Sequence, residues 1–488
     1  MTASSYHPDR IARNTSYLTL ALAIQKVLSF AYFIYISRAV GHEELGKYLF
    51  ALSVTTIFGI FIDIGLNSVL TREIAKDPEK TSTYLNTTFS LKLLTSLAAY
   101  GAVIVFINIL GYPEVTKQLV YLSGLVMILD SFTLSFYAIF RGHQILKYES
   151  IGVIINKVVV IGVGVLGVLA HRGVKFLILA ILFGSLFNVI YTLILLLVKI
   201  RWRPAFFLNR AVLKTLLRIA LPFAVASIFI TVFAYIDTVL LNIMGGARGD
   251  SYVGWYGTAY KLTYAFQFIP LALAAAVFPA MSSYFVVSRG LLARTFERAI
   301  YYLTVISVPI ALGVFAIADK LIITIWGKAF EASIAPLRIL VFSLIFLFAS
   351  YPVGSLLNAC NRQTRNTVNM GIAMVVNIIL NVILIPHYTF IGTSIASLVA
   401  VFVLFVSGFI VVRQIIDYDK KFLLKTLFKT LLSGGIMLAV MMFLKPGLSV
   451  MLLIPIGIAV YFAVLFLVRG FGHKEYVRIY HSVMTKLK

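Results

Sequence analysis

Charge is scarce in this sequence, and acidic residues are its scarcest part. Only 12% of the 488 residues are charged, with 18 acidic residues against 42 basic ones. A soluble protein of this length carries roughly twice that share of charged residues, so we do not expect a soluble enzyme. A net charge of +24 would favour a nucleic-acid partner in a soluble chain. Here the bases stand between apolar runs, which indicates membrane topology and no nucleic-acid binding.

Thiol pairs, histidine clusters and catalytic motifs are also missing. The single cysteine, Cys360, leaves no partner for an intrachain disulfide or a thiol mechanism. The seven histidines are scattered, and no G-x-x-x-x-G-K-[ST], H-E-x-x-H or G-x-S-x-G motif occurs. These motifs are typical of ATPases, zinc proteases and serine hydrolases. We therefore predict that the protein is not an enzyme and needs no cofactor or metal. The polar residues before the first long apolar run also favour the absence of a cleavable signal peptide.

Long apolar runs are what the sequence has instead, since 61% of its residues are hydrophobic. Runs of about 18 or more apolar residues are typical of transmembrane helices. The sequence predicts an all-α integral membrane protein with about fourteen such helices. They cover 15–38, 46–70, 85–110, 118–140, 149–170, 175–198, 215–243, 252–285, 299–319, 336–358, 367–386, 391–413, 426–444 and 448–468.

Basic residues alternate between the two sides of these spans. About 27 of the Lys and Arg residues fall on the side of the N-terminus and about nine on the other, a bias that follows the positive-inside rule. We therefore expect a multi-pass protein of the inner, cytoplasmic cell membrane with both termini in the cytoplasm.

A short internal repeat divides the chain. The pattern G-x-Y-x-x-A opens the second span at Gly46 and the eighth span at Gly254, at an offset of 208. The same offset places the first span on the seventh and the third on the ninth. Parallel repeats of this kind form two-lobed bundles that hold substrate between the lobes. We predict a six-helix N-lobe over residues 1–198, a basic cytoplasmic linker over 199–214, and a six-helix C-lobe over 215–413. Two further helices and a basic cytoplasmic tail follow over 414–488.

The first, seventh and eighth spans each carry a polar face, although polar groups facing lipid would cost several kcal/mol each. The predicted cavity residues are Gln25, Lys26, Ser29 and Tyr32 on the first span, Lys157 on the fifth, and Tyr256, Tyr260, Lys261, Tyr264 and Gln267 on the eighth. Lysine supplies a point charge for phosphate, and tyrosine stacks on sugar rings while hydrogen-bonding. Such a cavity suits an anionic, hydroxyl-rich ligand.

Asp237 on the seventh span is a candidate for ion coupling or for a salt bridge. An ionisable residue deep in a membrane span indicates a functional site. Asp237 and Lys261 flank the glycine-rich turn at similar depths, so they either pair with each other or serve the cavity. Lys157 has Asp130 as an alternative partner.

Other charged residues are expected at the membrane surface. Lys92, Arg218 and Arg338 lie near predicted helix ends, from which long basic side chains can extend to the interface. Asp63 and Asn67 end the second span and are expected to mark the interface as well.

Ordered motifs along nearly the whole chain resemble the polysaccharide-flippase branch of the multidrug/oligosaccharidyl-lipid/polysaccharide (MOP) exporter superfamily. They are Ala12-Arg13-Asn14, Arg38-x-x-Gly41, Gly46-Lys47-Tyr48, Asp63-x-Gly65, Thr71-Arg72-Glu73-Ile74-Ala75, Leu221-Pro222, Tyr235-x-Asp237, Gly254-Trp255-Tyr256, Tyr260-Lys261-Leu262, Phe278-Pro279-x-Met281, Trp326-Gly327, Leu337-Arg338-Ile339-Leu340, and Asn377 and Asn381 before Pro386. The resemblance implies twelve core helices in two lobes around a cationic cavity, with two extra helices in some members. It also implies that Lys26, Lys261 and Lys157 supply the cavity charge.

The resemblance implies a flippase that moves a polyprenyl-(pyro)phosphate-linked oligosaccharide from the cytoplasmic to the outer leaflet. The expected partners are this lipid-linked oligosaccharide, membrane lipids, and a glycan polymerase or glycosyltransferase machinery. With no ATPase motif, the expected energy source is an ion gradient, the membrane potential or the substrate's own gradient, and Na⁺ and H⁺ are the candidate coupling ions. Two alternatives stay open, namely an ion-coupled multidrug exporter of the same architecture and a non-transporting scaffold of a glycan-assembly complex. The exporter predicts a cavity richer in acids than bases, which the sequence does not show.

Overall fold

A computed structural model describes the backbone of residues 8–470 and the side chains from Tyr17 onward. Over this part of the chain the fold is entirely helical, without a β-strand. The helices are α1 (Pro8–Asp63), α2 (Leu66–Lys76), α3 (Thr81–Ile109), α4 (Glu114–Gly142), α5 (Leu146–Leu169), α6 (Val174–Leu195), α7 (Arg210–Met244), α8 (Gly249–Tyr264), α9 (Phe268–Val287), α10 (Arg289–Trp326), α11 (Ile334–Leu340), α12 (Ser343–Ala359), α13 (Gln363–Val412), α14 (Lys420–Leu444) and α15 (Val450–Leu467).

Two of the longest helices are interrupted. In α1 the backbone leaves helical geometry at Gly41, with φ 79° and ψ 175°. In α13 it does so at Thr389, with φ 50° and ψ −130°. Both breaks fall where the sequence places a loop between two spans. Within the described residues, 11 helices are long and apolar enough to cross a membrane, or up to 12 with one bent pair counted as a span. The predicted all-α membrane fold is confirmed, whereas the number fourteen stays a prediction.

The chain divides into two compact units, residues 1–257 and 258–488. The boundary falls inside α8, so this helix belongs partly to each unit. The lobe boundaries predicted from the sequence stay a prediction. The basic tail predicted after the last span lies outside the described residues from 471 onward.

In the first unit, a break between α1 and α2 packs against α7 near Pro222. Ile64 and Gly65 both adopt positive φ, and a Cβ added at Gly65 would lie 2.9 Å from the Ala224 backbone nitrogen. Pro222 stands inside α7 beside this contact, and a proline removes a hydrogen bond from its helix and bends it. Leu66 packs close by against α7. Glycine is therefore favoured at residue 65 for two reasons. It adopts the left-handed backbone conformation without strain, and it leaves room for α7 to approach closely.

The same unit contains a buried ion pair, which corrects the prediction for Lys92. Its side chain is fully buried, and the Nζ atom donates to Asp63 Oδ1 at 3.0 Å and to the Ser131 carbonyl at 2.9 Å. Asn67 belongs to this network, because its Oδ1 accepts from Lys92 Nζ at 3.4 Å and from the Ser135 hydroxyl at 2.8 Å. The prediction that Lys92 extends to the interface was wrong, since its partners lie on α1 and α4 within the bundle. A buried ammonium is tolerated where it is paired and hydrogen-bonded in this way.

The second unit has two apolar clusters on opposite parts of α10. One joins α9, α10, α12 and α13 around Phe296 and Leu356. The other joins α10 to α14 and α15, where the buried Tyr461 hydroxyl donates to the Val305 carbonyl at 2.8 Å. Lys445, after α14, contacts Asp319 at 2.5 Å. The two C-terminal helices are therefore attached to α10 by apolar packing and by polar contacts at their connecting turn.

Candidate functional site

The predicted cavity residues of the first span lie on α1 before its break. Lys26 is exposed, whereas Gln25 and Ser29 are half-buried. The Ser29 hydroxyl donates to the Gln25 carbonyl one turn earlier at 2.6 Å, so it is satisfied within its own helix. Tyr32 is buried against α5, where a Cβ added at Gly164 would meet its hydroxyl oxygen. An exposed ammonium on a spanning helix cannot face lipid hydrocarbon, so Lys26 requires water or a ligand.

Lys157 is half-buried on α5 and lies near a carboxylate of α4. The charge of Lys157 acts on Asp130, and Asp130 Oδ1 accepts from the Ser185 hydroxyl of α6 at 2.6 Å. The alternative that paired Lys157 with Asp130 thus has structural support, although a pair of this kind can still bind an anion. Asp130 is exposed and Lys157 is half-buried, so both charged side chains remain accessible.

Asp237 lies on α7 and is only 3% exposed. Its Oδ2 accepts a hydrogen bond from the Tyr256 hydroxyl of α8 at 2.6 Å. Tyr256 is itself buried, so its hydroxyl is directed at this carboxylate. The tyrosine hydroxyl thereby supplies a hydrogen bond to a carboxylate that is shielded from water.

The second unit carries the remaining predicted residues of the eighth span. The rings of Tyr260 and Tyr264 lie 4.2 Å apart between centroids, one helical turn from each other. Lys261 is exposed beside this pair. The helix then tightens into a 3₁₀ turn over Ala265–Gln267, which places the half-buried Gln267 at the junction with α9. An exposed lysine next to paired tyrosine rings offers a charge and a stacking surface within one turn.

Reciprocal glycine contacts join α1 to the start of α8. A Cβ at Gly46 would lie 1.7 Å from the Asp250 carbonyl oxygen, and one at Gly254 would lie 1.9 Å from the His42 carbonyl oxygen. Residues 42 and 250, like 46 and 254, differ by the repeat offset of 208. A Cβ at Gly257 would meet the Leu49 side chain, its own counterpart in the other copy. Equivalent helices of the two copies therefore pack about a local twofold axis, as an isologous contact does.

Aromatic and polar side chains cover the ends of this helix pair. The His42 and Trp255 rings are 4.7 Å apart. Asn242 donates to Asp250 at 2.8 Å and accepts from the Tyr112 hydroxyl at 2.7 Å. These side-chain contacts are not apparent from the sequence. The repeated G-x-Y-x-x-A pattern signals only the glycine contacts, because the same face of each copy needs a residue without a side chain.

The described side chains include no group of three or more His, Cys, Asp and Glu residues placed to hold a metal ion. The chemistry within this part of the chain is that of lysine charges, tyrosine rings and a buried carboxylate on membrane-spanning helices. Side chains of these types are chemically suited to charged, hydroxylated molecules. The fold and the site thus define a multi-pass helical membrane protein with cationic and aromatic side chains set into its spans.

Within that class, the chain belongs to the family described as polysaccharide biosynthesis protein, whose model matches residues 11–285, more than half of the sequence. The resemblance predicted from the sequence is thereby confirmed. A probable low-salt glycan biosynthesis flippase, Agl15, of Haloferax volcanii is 23% identical over 79% of this chain and 80% of its own length. The capsular polysaccharide biosynthesis protein CapF of Staphylococcus aureus is 20% identical over 83% of this chain and its full length.

Among solved structures, the lipid II flippase MurJ in an inward closed conformation is similar in fold. The TM-score is 0.75 at 17% identity, covering 93% of this chain and 98% of the other. At this level of identity the likeness shows a shared helical architecture and no more.

Proposed function

We propose that the protein is a flippase for a polyprenyl-(pyro)phosphate-linked oligosaccharide. It moves this lipid from the cytoplasmic to the outer leaflet by alternating access through a cationic inter-lobe cavity. The observation that carries the proposal is the exposed Lys261 beside the paired rings of Tyr260 and Tyr264 on a membrane-spanning helix. Membership of the polysaccharide biosynthesis family and the similarity to proteins named as flippases support it.

The parts of such a substrate match the site chemically. The phosphate carries negative charge, which Lys26 and Lys261 neutralise, with Lys157 contributing when it is released from Asp130. The sugars stack on tyrosine rings and bond to hydroxyl and amide groups. The polyprenyl chain stays in the lipid, where it loses no apolar contact. A charged headgroup can cross the membrane only if its hydration shell is replaced in this way.

Alternating access requires a contact that closes one side and then parts. The α1–α8 contact at Gly46 and Gly254 suits this purpose, because the predicted topology places both turns on the outer side. Its glycines let the two backbones approach closely at this end of the helices. We therefore assign the outer closure to this helix pair.

Asp237 is the proposed coupling carboxylate, with H⁺ or Na⁺ as the coupling ion and no other cofactor. Its support is its burial and its bond from Tyr256. Either cation would neutralise the carboxylate, and the Tyr256 hydroxyl would follow its charge state. We place the protein in the cell membrane with both termini in the cytoplasm, next to glycosyltransferases that supply its substrate or a polymerase that uses the product.

The test is glycan export in cells that lack their own flippase. We expect wild-type protein to restore export, and the double variant Lys26→Ala/Lys261→Ala to lose most of it at equal membrane levels. Lys26→Arg/Lys261→Arg should retain part of the activity, because the charge is kept. Arg218→Ala removes an exposed base outside the proposed site and should leave export unchanged. Full export by the double alanine variant would overturn the charge role.

Transport of a defined lipid-linked sugar in proteoliposomes, with and without Na⁺ or H⁺ gradients, tests the coupling.

A further inference from the structure

The linker between α6 and α7 combines bases with outward-facing aromatic residues. Together with the start of α7, over residues 199–214, it contains no acidic residue and five bases, Lys199, Arg201, Arg203, Arg210 and Lys214. Between them, three consecutive apolar side chains are exposed: Phe206 at 82%, Phe207 at 55% and Leu208 at 39%. These three residues lie outside the predicted spans, where large apolar groups exposed together mark an interaction surface.

The linker is held in place at its first half. The chain turns at Arg201, which adopts a positive φ of 57°. Next to it, the buried Trp202 donates its indole N–H to Asn86 Oδ1 at 2.8 Å, and the Ala205 amide donates to the same oxygen at 3.2 Å. The Trp202 ring packs on Phe89 of α3 at 5.7 Å between centroids. One amide side chain thus fixes two points of the linker against a membrane-spanning helix.

The second half is fixed where α7 begins. Asn209 caps the helix by accepting from the Ala211 and Val212 amides at 3.0 and 3.2 Å. The Phe206 ring touches the rim of the buried cluster at Phe89, 5.9 Å between centroids, and otherwise stays outside it. The three apolar side chains are therefore presented by a segment anchored on both sides.

We propose that residues 199–214 form a binding surface for anionic lipid on the cytoplasmic leaflet. The predicted topology puts the linker on that side, which carries anionic headgroups. Phe206, Phe207 and Leu208 enter the interfacial region, where aromatic residues are favoured. The five bases contact lipid phosphates, since the segment has no acid of its own to pair with them. This surface is independent of the transport site and serves to hold the α6–α7 connection at the membrane.

A fluorescent probe at residue 206 tests the proposal. The single native cysteine, Cys360, is replaced by alanine, and Phe206→Cys carries an environment-sensitive dye. Phe443→Cys provides the matched control, because Phe443 is 84% exposed on α14 outside the linker. Both proteins are placed in nanodiscs of phosphatidylcholine alone or mixed with phosphatidylglycerol, including brominated lipids as quenchers.

We expect the dye at residue 206 to shift to the blue and to be quenched by bromine in the anionic discs. The shift should shrink at high salt, which screens exposed charges. The dye at residue 443 should respond equally in both lipids. Inorganic phosphate in place of phosphatidylglycerol should produce no shift.

Arginine variants separate electrostatic binding from plain apolar contact. Each of Arg201→Gln, Arg203→Gln and Arg210→Gln should weaken the phosphatidylglycerol response about five-fold, the ratio for roughly 1 kcal/mol per base at an anionic surface. Thermal melting of each variant checks that the fold is kept. A dye at residue 206 that stays in water in both lipids would overturn the proposal, as would one that inserts equally with and without anionic lipid.

Discussion

Adding one methyl group to either glycine of the α1–α8 contact should force the two helices apart. In Gly46→Ala the new Cβ would start 1.7 Å from the Asp250 carbonyl oxygen, and in Gly254→Ala 1.9 Å from that of His42. Real Cβ atoms stay beyond 3.0 Å of such atoms, so the helices must separate by roughly 1 Å. Because the clashing atoms belong to the backbone, no side-chain rotation relieves them.

The size of the effect follows from overpacking. Overpacking lowers the free energy of unfolding by about 1–3 kcal/mol. The higher helix propensity of alanine offsets at most about 1 kcal/mol of this loss. Each single variant should therefore be destabilised by about 1–2 kcal/mol. One separation of the helix pair relieves both clashes, so the double variant should cost much less than the sum of the singles.

The assay is the free energy of unfolding in mixed micelles, measured for the two single variants and the double variant as a cycle. Gly101→Ala is the control, since nothing lies within 4 Å of a Cβ at that position, and it should be neutral or stabilising. Gly257→Ala should be mild, because it meets only the mobile end of Leu49. Additive costs for the two glycines, or variants as stable as Gly101→Ala, would refute the reciprocal contact.

Three further changes test other parts of the structure. Lys92→Met should cost about 3–5 kcal/mol by leaving Asp63 unpaired, and adding Asp63→Leu should recover part of this in the same unfolding assay. Trp202→Phe keeps the ring but removes the donor to Asn86, so it should cost about 1 kcal/mol and speed cleavage of the linker by trypsin. Burial lowers the pKa of His143 in the folded protein. The unfolded chain then binds more protons at low pH, and stability falls as pH drops below about 6.5; His143→Gln should flatten this slope in melting temperatures measured against pH.

The membrane class could be predicted from sequence because apolar run length is a local property. No tertiary information is needed to see that a run of about 20 apolar residues spans a bilayer. The breaks at Gly41 and Thr389 were also placed between the correct runs. Pro386 and the polar residues near the two breaks interrupt the apolar runs. Such interruptions can be recognised in the sequence without knowledge of the fold.

Partners across the bundle could not be predicted. Lys92 was judged by its distance from a helix end, whereas its burial depends on Asp63, 29 residues earlier, and on Ser131, 39 residues later. Trp202 was part of a basic linker in sequence, yet its indole bonds to Asn86 on another helix. A polar side chain acquires its role from the helix that packs against it, and no local pattern contains that helix.

The repeat separates what the fold requires from what the proposed function requires. At the offset of 208, Tyr48 and Tyr256 correspond, and both are buried. Asp237 corresponds to Ser29, which bonds to its own helix instead. In the second copy the tyrosine hydroxyl therefore donates to a carboxylate. The first copy has no carboxylate at the corresponding position. Packing about a twofold axis would be served by identical residues in both copies, so it does not explain this difference. The carboxylate of Asp237 thus occurs in one copy alone, and for this reason we propose it for coupling. The tyrosines occur in both copies, and we propose that they stabilise the helix packing.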